Sequence, residues 1–367
     1  MRNRLFCCMK RTIFFLTAFM TLCLTSQAQT RWYNPLDAGA VVHGQGFDEI
    51  RGSYVRLPDR AQGVVRDAVW GLSRNSAGLS LVFRSDATDI EVRYQVSGGY
   101  NMFHMPSTGV SGIDLFARDS GGKMRWCAPQ FPPSFNDTIT YRYNSIAYPE
   151  DGVYEYHMFL PLYNSVKWLE VGVPEGAGLE FIPIGDEKPV VIYGTSIAQG
   201  ACASRPGMCF GNMISRHMQI PVVNLGFSGN GKLEPEVLDF ICEIDASVFI
   251  LDCLPNLGSA GDIKERVIKA VIQIRTGSDS PILLVDHCGN SGEKTSQVQS
   301  VRITTNAEQR AAYEALLAAG YKDVYYLAYE EIGLGMDGMV EGIHPTDVGM
   351  TRYAEAYEKK LREILGL

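Results

Sequence analysis

The chain has 367 residues, of which 46% are hydrophobic, and a formal net charge of −8. Such an acidic chain repels phosphate backbones and anionic lipid, so we expect neither nucleic acid nor a membrane surface as a partner. After residue 28 no apolar stretch has the length that membrane insertion requires. The length exceeds a comfortable single hydrophobic core and therefore predicts two domains behind any targeting segment.

Residues 1–28 have the pattern of a secretory signal peptide. Four basic residues precede an apolar run from Thr12 to Leu24, and Ser26-Gln-Ala28 resembles a small-x-small cleavage site. The apolar run is too short to span a bilayer. We therefore predict a protein exported to the periplasm or beyond, in which loss of four positive charges takes the net charge from −8 to −12.

Residues 29–183 predict an all-β domain. Segments 79–83 and 90–94 alternate apolar and polar residues, and turn-prone residues separate them. Further strands are predicted at 112–116, 138–143, 154–160 and 166–171. Many short strands at this spacing favour a β-sandwich or jelly roll.

Residues 184–367 change to a rhythm of strand followed by helix, which predicts a parallel sheet with helices on both faces. The predicted strands are 190–194, 221–225, 247–252, 281–286 and 323–328. The predicted helices lie near 207–218, 233–243, 261–274, 304–319 and 346–365.

The first of these strands ends at Gly194-Thr195-Ser196, with Gly200 soon after. A glycine-flanked serine at the carboxyl end of a buried strand is where an open α/β sheet presents reactive groups. A serine in this position can equally cap the helix that follows. The stretch alone does not separate the two interpretations.

Three later stretches favour the catalytic interpretation. They are Asn224-Leu-Gly-Phe-Ser-Gly-Asn-Gly231, Asp252-Cys-Leu-Pro-Asn256 and Glu341-Gly-Ile-His-Pro-Thr-Asp347. In this order the four blocks resemble those of the SGNH (GDSL-type) serine hydrolases. The resemblance covers about 185–367 and implies a flavodoxin-like three-layer αβα domain with a five-stranded parallel sheet. Gly112-Ile-Asp-Leu-Phe116 also resembles the Gly-x-Asp-Leu-Tyr motif of a β domain that precedes one group of SGNH esterases.

The resemblance implies catalytic roles for Ser196 as nucleophile and His344 as general base, which a serine hydroxyl requires. The base needs an acceptor on its other ring nitrogen. Glu341 stands in the position of the family's Asp, Asp347 is a local competitor, and a backbone carbonyl is the third alternative.

The oxyanion formed during ester cleavage needs hydrogen-bond donors that are already in place. By the same resemblance these are the backbone N–H groups of Ser196 and Gly229 and the side-chain amide of Asn256. Gly229 could instead be a turn glycine and Asn256 a turn cap. Thr195 departs from the family's Asp, and Asn256 stands in Pro-Asn-Leu instead of Gly-x-Asn-Asp.

The function implied is a secreted or periplasmic esterase that removes small acyl groups. The substrate we expect first is an acetyl ester of a carbohydrate. A lipid or phospholipid acyl hydrolase is an alternative, and a catalytically weak carbohydrate-binding protein is another. The mechanism requires no cofactor. The sequence has no Cys-x-x-Cys pair or His-rich tract that predicts a structural metal site.

Cysteine positions suggest one disulfide, Cys202–Cys253. The flavodoxin-like order implied by the resemblance places the first strand beside the third, so the loops that carry these two cysteines are neighbours. Export permits oxidation. Two buried free thiols are the alternative.

Overall fold

The computed structural model describes residues 29–147, 152–258, 261–288 and 297–367. The predicted signal peptide, 1–28, lies outside these ranges. Within them, none of the helices combines the length and apolar character needed to cross a bilayer.

The first half contains two antiparallel sheets that pack face to face. One sheet has the order β1-β9-β4-β7, and the other has the order β10-β3-β8-β5-β6 with β2 added to β3. The strands are β1 (Thr30–Tyr33), β2 (Val42–His43), β3 (Ser80–Ser85), β4 (Ile90–Val96), β5 (Asp114–Arg118), β6 (Met124–Cys127), β7 (Ile139–Tyr143), β8 (Tyr154–Phe159), β9 (Val166–Pro174) and β10 (Leu179–Phe181).

Alternate residues of both sheets build a shared core, as the alternating pattern predicts. Leu81 and Phe83 of β3 enter it from one sheet, and Val92 and Tyr94 of β4 enter it from the other. The six predicted strands are present with ends shifted by a few residues. The strands β1, β2, β6 and β10 were not predicted because they are too short to show periodicity.

The second half is a five-stranded parallel sheet in the order β12-β11-β13-β14-β15. This is the predicted flavodoxin-like order, and the fold prediction is confirmed. The strands, all within two residues of their predicted ends, are β11 (Val190–Gly194), β12 (Val222–Gly226), β13 (Val248–Asp252), β14 (Ile282–Val285) and β15 (Val324–Leu327).

Successive residues of each strand point to opposite sides of this sheet, and both sides are apolar. Helices therefore cover both faces. Val191 and Tyr193 of β11 enter one core, and Val190 and Ile192 enter the other. Among the described residues, the α-helices are α1 (Asp67–Ser73), α2 (Ser107–Val110), α3 (Ser196–Gln199), α4 (Phe210–Met218), α5 (Pro235–Ile241), α6 (Leu254–Leu257), α7 (Ile263–Arg275), α8 (Gln297–Ala318), α9 (Tyr329–Ile332) and α10 (Asp347–Leu365). Short 3-10 helices are Pro35–Ala38, Asp48–Ile50, Asp59–Ala61, Pro206–Met208 and Met336–Gly338.

A segment of the N-terminal half belongs to the core of the parallel sheet. Phe47, Leu57, Val65 and Val69 are at most 5% exposed and pack in the same cluster as the residues of α5 and α7. This segment includes α1 and covers one face of the sheet. The two halves therefore share a hydrophobic core in addition to a surface.

Arg56 fastens this segment to the end of β12. Its guanidinium is buried and donates hydrogen bonds to the backbone carbonyls of Asn224 at 3.2 Å and Gly226 at 2.7 Å. It also donates to the carbonyls of Leu72 and Asn75. Burial lowers the pKa of Arg56 to about 9. The four backbone carbonyls that surround the guanidinium replace the hydrogen bonds to water that the charge has lost.

Candidate active site

Ser196 lies at the carboxyl end of β11, as the first residue of α3. Thr195, and not Ser196, caps this helix, because its Oγ1 accepts a hydrogen bond from the backbone N–H of Ile197 at 3.3 Å. The hydroxyl of Ser196 is left for another partner, and its Oγ lies 2.8 Å from Nε2 of His344.

His344 lies in the loop that precedes α10, on the same edge of the sheet. Its Nδ1 is 2.6 Å from Oε1 of Glu341, and the same oxygen accepts the backbone N–H of His344 at 3.0 Å. The double contact holds the imidazole with Nδ1 toward the carboxylate and Nε2 toward Ser196. The side chain of His344 is 20% exposed and that of Glu341 is 43% exposed.

Asp347, the competing carboxylate, is engaged elsewhere. It opens α10, and its two oxygens accept hydrogen bonds from Ser204, one from the backbone N–H at 2.9 Å and one from the hydroxyl at 2.5 Å. The structure therefore brings Glu341 to His344 and uses Asp347 to join the nucleophile loop to α10.

The two remaining predicted site residues lie in the loops after β12 and β13. Gly229 has φ +70, a left-handed conformation that favours glycine. Oδ1 of Asn256 accepts the backbone N–H of Gly231 at 3.1 Å, so the amide NH2 is the end that remains to donate elsewhere. Gly231 is itself required, because a Cβ there would overlap the carbonyl group of Gly194.

Two family models match the chain. Residues 187–362 match the GDSL-like lipase/acylhydrolase family, and residues 30–179 match the N-terminus of the SGNH hydrolase-type esterases, named for the Gly-x-Asp-Leu-Tyr motif. Residues 187–362 are therefore a GDSL-like lipase/acylhydrolase domain. The protein is an acylhydrolase of the SGNH type with that β domain in front, as the resemblance predicted.

Solved structures share the fold of this chain. A Bacteroides ovatus protein named as a GDSL-like lipase is 28% identical, with a TM-score of 0.83 over 92% of this chain and 98% of that one. A salicylyl-acyltransferase from a tetracycline biosynthetic pathway is 18% identical, with a TM-score of 0.70 over 92% and 98%. A family two carbohydrate esterase from Cellvibrio japonicus is 11% identical, with a TM-score of 0.55 over 92% and 99%, and shows the fold alone. No curated protein matches the chain significantly.

Residues of the β domain of the acylhydrolase lie close to Ser196 and His344, in agreement with the expectation that this domain packs on the catalytic domain. The hydroxyl of Tyr163 donates to the backbone carbonyl of Ser196 at 3.2 Å. The ring of His104, from the loop before α2, lies 5.7 Å from the ring of His344. Gln199 of α3 donates to the carbonyl of Leu162 at 3.2 Å. A polar residue in a loop gives no sequence signal of such distant contacts.

The Gly-x-Asp-Leu motif joins the two domains of the acylhydrolase. Asp114 is buried, forms an ion pair with Arg205, and accepts the backbone N–H of Gly207 at 2.9 Å. Its other oxygen accepts Nε1–H of Trp126 at 2.6 Å. Burial raises the pKa of Asp114, and the Arg205 charge opposes that rise. Gly207 cannot carry a side chain, because a Cβ would overlap the Asp114 carboxylate.

The suggested disulfide Cys202–Cys253 is wrong, because both thiols are free. The two loops follow neighbouring strands as expected, but the side chains diverge. Sγ of Cys253 turns into the core toward the carbonyl of Tyr193 at 3.5 Å, while the thiol of Cys202 faces His104 and His344. Burial raises the pKa of Cys202 to about 12, so this neighbour of His344 is a neutral thiol and not a competing nucleophile.

The acylhydrolase also has a large cleft at the opposite end of the parallel strands. This cleft of about 800 Å³ is lined by residues that precede β11 and β12, including Pro189 and Pro221, and by His43 and His157 of the β domain. It contains none of the predicted site residues. The carboxyl edge of the sheet is therefore the place to seek the chemistry.

Proposed function

We propose that the protein is an exported serine esterase that removes small acyl groups, acetyl in preference to others, from carbohydrate. The observation that supports this proposal is the pair of hydrogen bonds that links Ser196 to His344 and His344 to Glu341. The Oγ–Nε2 distance is 2.8 Å and the Nδ1–Oε1 distance is 2.6 Å. Gly229 and Asn256 supply the remaining donors.

In this reaction His344 accepts the proton of Ser196 as the hydroxyl oxygen attacks the ester carbonyl. Glu341 holds the Nδ1–H tautomer and stabilises the imidazolium that forms. The negative carbonyl oxygen is met by the N–H groups of Ser196 and Gly229 and by the NH2 of Asn256. His344 then gives this proton to the departing sugar oxygen, which leaves as a hydroxyl group. In the second half, His344 takes a proton from the water that attacks the acyl-serine and returns it to Oγ of Ser196 as the carboxylic acid leaves.

The surroundings of His344 favour a carbohydrate alcohol. Phe103 is fully exposed, and its ring packs on that of His104 with centroids 4.2 Å apart. A solvent-facing aromatic ring beside the site offers a flat apolar surface on which the C–H face of a sugar can stack. Two carbohydrate esterases of family two share the fold, with TM-scores of 0.55 and 0.51. Phe103→Ala should raise KM for an acetylated oligosaccharide more than for p-nitrophenyl acetate.

The decisive experiment compares wild type, Ser196→Ala, His344→Ala and the double variant on p-nitrophenyl acetate. Each single change should remove nearly all activity, and the double change should add little, because the pair acts as one unit. Additive losses would contradict the assignment. Esters of longer acyl chains and acetylated xylan complete the test. Preference for long chains would favour the lipid acyl hydrolase instead, and N-terminal sequencing of the mature protein tests cleavage after Ala28.

A further inference from the structure

Three metal-ligating side chains from three separate segments converge beside the candidate nucleophile. They are His104 from the β domain, Cys202 from the loop after α3, and His344. One ligand atom of each lies within 4.8 Å of the others. Neutral imidazole and thiolate are ligands that Zn²⁺ and Co²⁺ prefer. The sequence gives no hint of the cluster, since its members are about 100 and 140 residues apart.

Two members of the cluster are held in unusual states. Nδ1 of His104 is buried, and no hydrogen-bond partner is found for it among the described residues. A buried polar atom without a partner is costly, and such atoms are rare in folded proteins. Cys202 has φ 67, a conformation that non-glycine residues seldom adopt, and it is 8% exposed. The strained backbone keeps the thiol beside the two rings.

The ring nitrogen of His344 that can bind a metal is Nε2, because Nδ1 is hydrogen-bonded to Glu341. A carboxylate behind a ligating imidazole is the usual outer partner of a metal-bound histidine, so Glu341 suits both tasks. The atom that would bind a metal is therefore the atom that lies 2.8 Å from Oγ of Ser196. A metal on Nε2 and a proton transferred from Ser196 exclude each other.

We propose that His104, Cys202 and His344 form an inhibitory site for a thiophilic divalent cation such as Zn²⁺. Binding releases the thiol proton of Cys202 to solvent and forms one bond to sulfur and two to imidazole nitrogen. Three protein ligands leave the fourth tetrahedral position to water. The bound metal takes His344 away from Ser196, so the esterase stops while the metal is present and resumes when it leaves. This inhibitory consequence rests on the proposed function, whereas the metal site itself does not.

The first test measures binding without activity. Co²⁺ is titrated into Ser196→Ala protein, in which the competing hydroxyl is absent, and the thiolate-to-cobalt charge-transfer absorption is recorded. We expect one Co²⁺ per chain, displaced by Zn²⁺. Adding Cys202→Ser should abolish the charge-transfer band, and adding His104→Ala should weaken binding at least about tenfold. The matched controls Cys242→Ser and His217→Ala should leave the band unchanged, because these residues lie on other surfaces.

The second test measures inhibition of the otherwise intact enzyme on p-nitrophenyl acetate. Zn²⁺ should inhibit reversibly, with recovery on adding a chelator. The half-inhibiting concentration should rise at least about tenfold in Cys202→Ser and in His104→Ala, each compared with its own metal-free rate, and should not change in the two controls.

Failure of this proposal is distinguishable from failure of the proposed function. The protein could lack esterase activity and still show the Cys202-dependent cobalt band. That result would support the metal site and would remove only the proposal that the site is inhibitory. Absence of the band, or a band that persists in Cys202→Ser, overturns the site. Equal Zn²⁺ inhibition of wild type and both ligand variants likewise overturns it, because the metal then acts elsewhere.

Discussion

Replacing the buried carboxylate of the Gly-x-Asp-Leu motif tests whether the motif holds the two domains together. In Asp114→Asn the volume is kept, but one acceptor oxygen becomes an NH2 group. Whichever way the amide turns, it faces donors: either Nε1–H of Trp126, or Arg205 together with the N–H of Gly207. The variant therefore loses at least one hydrogen bond and the counter-charge of Arg205.

The expected loss of stability is about 2.5 kcal/mol. A lost neutral hydrogen bond costs about 1 kcal/mol, and a lost bond to a charged group costs about 1.5–3 kcal/mol. The lower end applies to the charge, because the Arg205 side chain is 26% exposed and keeps part of its hydration. With an unfolding entropy of about 2.1 cal/mol/K per residue, a chain of this size should melt about 3 °C lower.

The same variant should lose about tenfold in kcat on p-nitrophenyl acetate. Arg205 follows Ser204, and Ser204 holds Asp347 at the start of α10, three residues after His344. A small shift along this path misplaces the base, and positioning errors of about an ångström can cost rate. Asp137→Asn is the matched control, since Asp137 is a solvent-exposed residue of the same β domain, and its melting temperature should not change. Equal melting temperatures and rates for Asp114→Asn and wild type would refute the reasoning.

Three further predictions concern single side chains. Asn256→Ala should lower kcat by roughly a hundredfold with little effect on KM, whereas a pure KM effect would mean that Asn256 binds substrate. Glu341→Gln should lower kcat more than Asp347→Asn does, and the reverse order in steady-state assays would assign the wrong carboxylate. Burial raises the pKa of Asp252 to about 7, so its stabilising contribution is complete below the unfolded pKa of about 4 and is lost as pH rises through 7. In urea titrations at pH 5 and 8, Asp252→Asn should therefore lose less stability than wild type, and equal losses would contradict this pKa.

The parallel sheet could be predicted because its strands are buried on both faces and appear as continuous apolar runs. The limits of such a run predict the ends of the strand to within a residue or two. The carboxyl ends of neighbouring parallel strands then lie at the same edge of the sheet. This is why residues as distant as Ser196, Gly229 and Asn256 could be assigned to one edge of the sheet from the sequence.

Side-chain direction could not be predicted in the same way. The loops of Cys202 and Cys253 are neighbours, yet a backbone φ of 67 at Cys202 turns its thiol toward His344 and away from Cys253. No sequence pattern reports a single left-handed residue that is not glycine. The burial of Arg56 was equally hidden, because arginine in a polar segment predicts a solvated charge. Two of its acceptors, the carbonyls of Asn224 and Gly226, lie about 170 residues away.

These contacts predict that the hydrolase domain cannot work alone. A fragment of residues 184–367 lacks Phe47, Leu57, Val65 and Val69, which cover one face of the parallel sheet. Each fully buried apolar side chain contributes about 1.5–3 kcal/mol, so the exposed face should make the fragment unstable or aggregating.

The fragment also lacks two groups that hold the site itself: the Arg56 guanidinium on the carbonyls at the end of β12, and the Tyr163 hydroxyl on the carbonyl of Ser196. We expect it to show less than about a hundredth of the full protein's kcat/KM on p-nitrophenyl acetate, and co-expression with residues 29–183 to restore activity. A lone fragment that melts cooperatively and hydrolyses the ester at the full rate would show that the shared core and these contacts are dispensable. Catalytic geometry would then be a property of the parallel sheet alone.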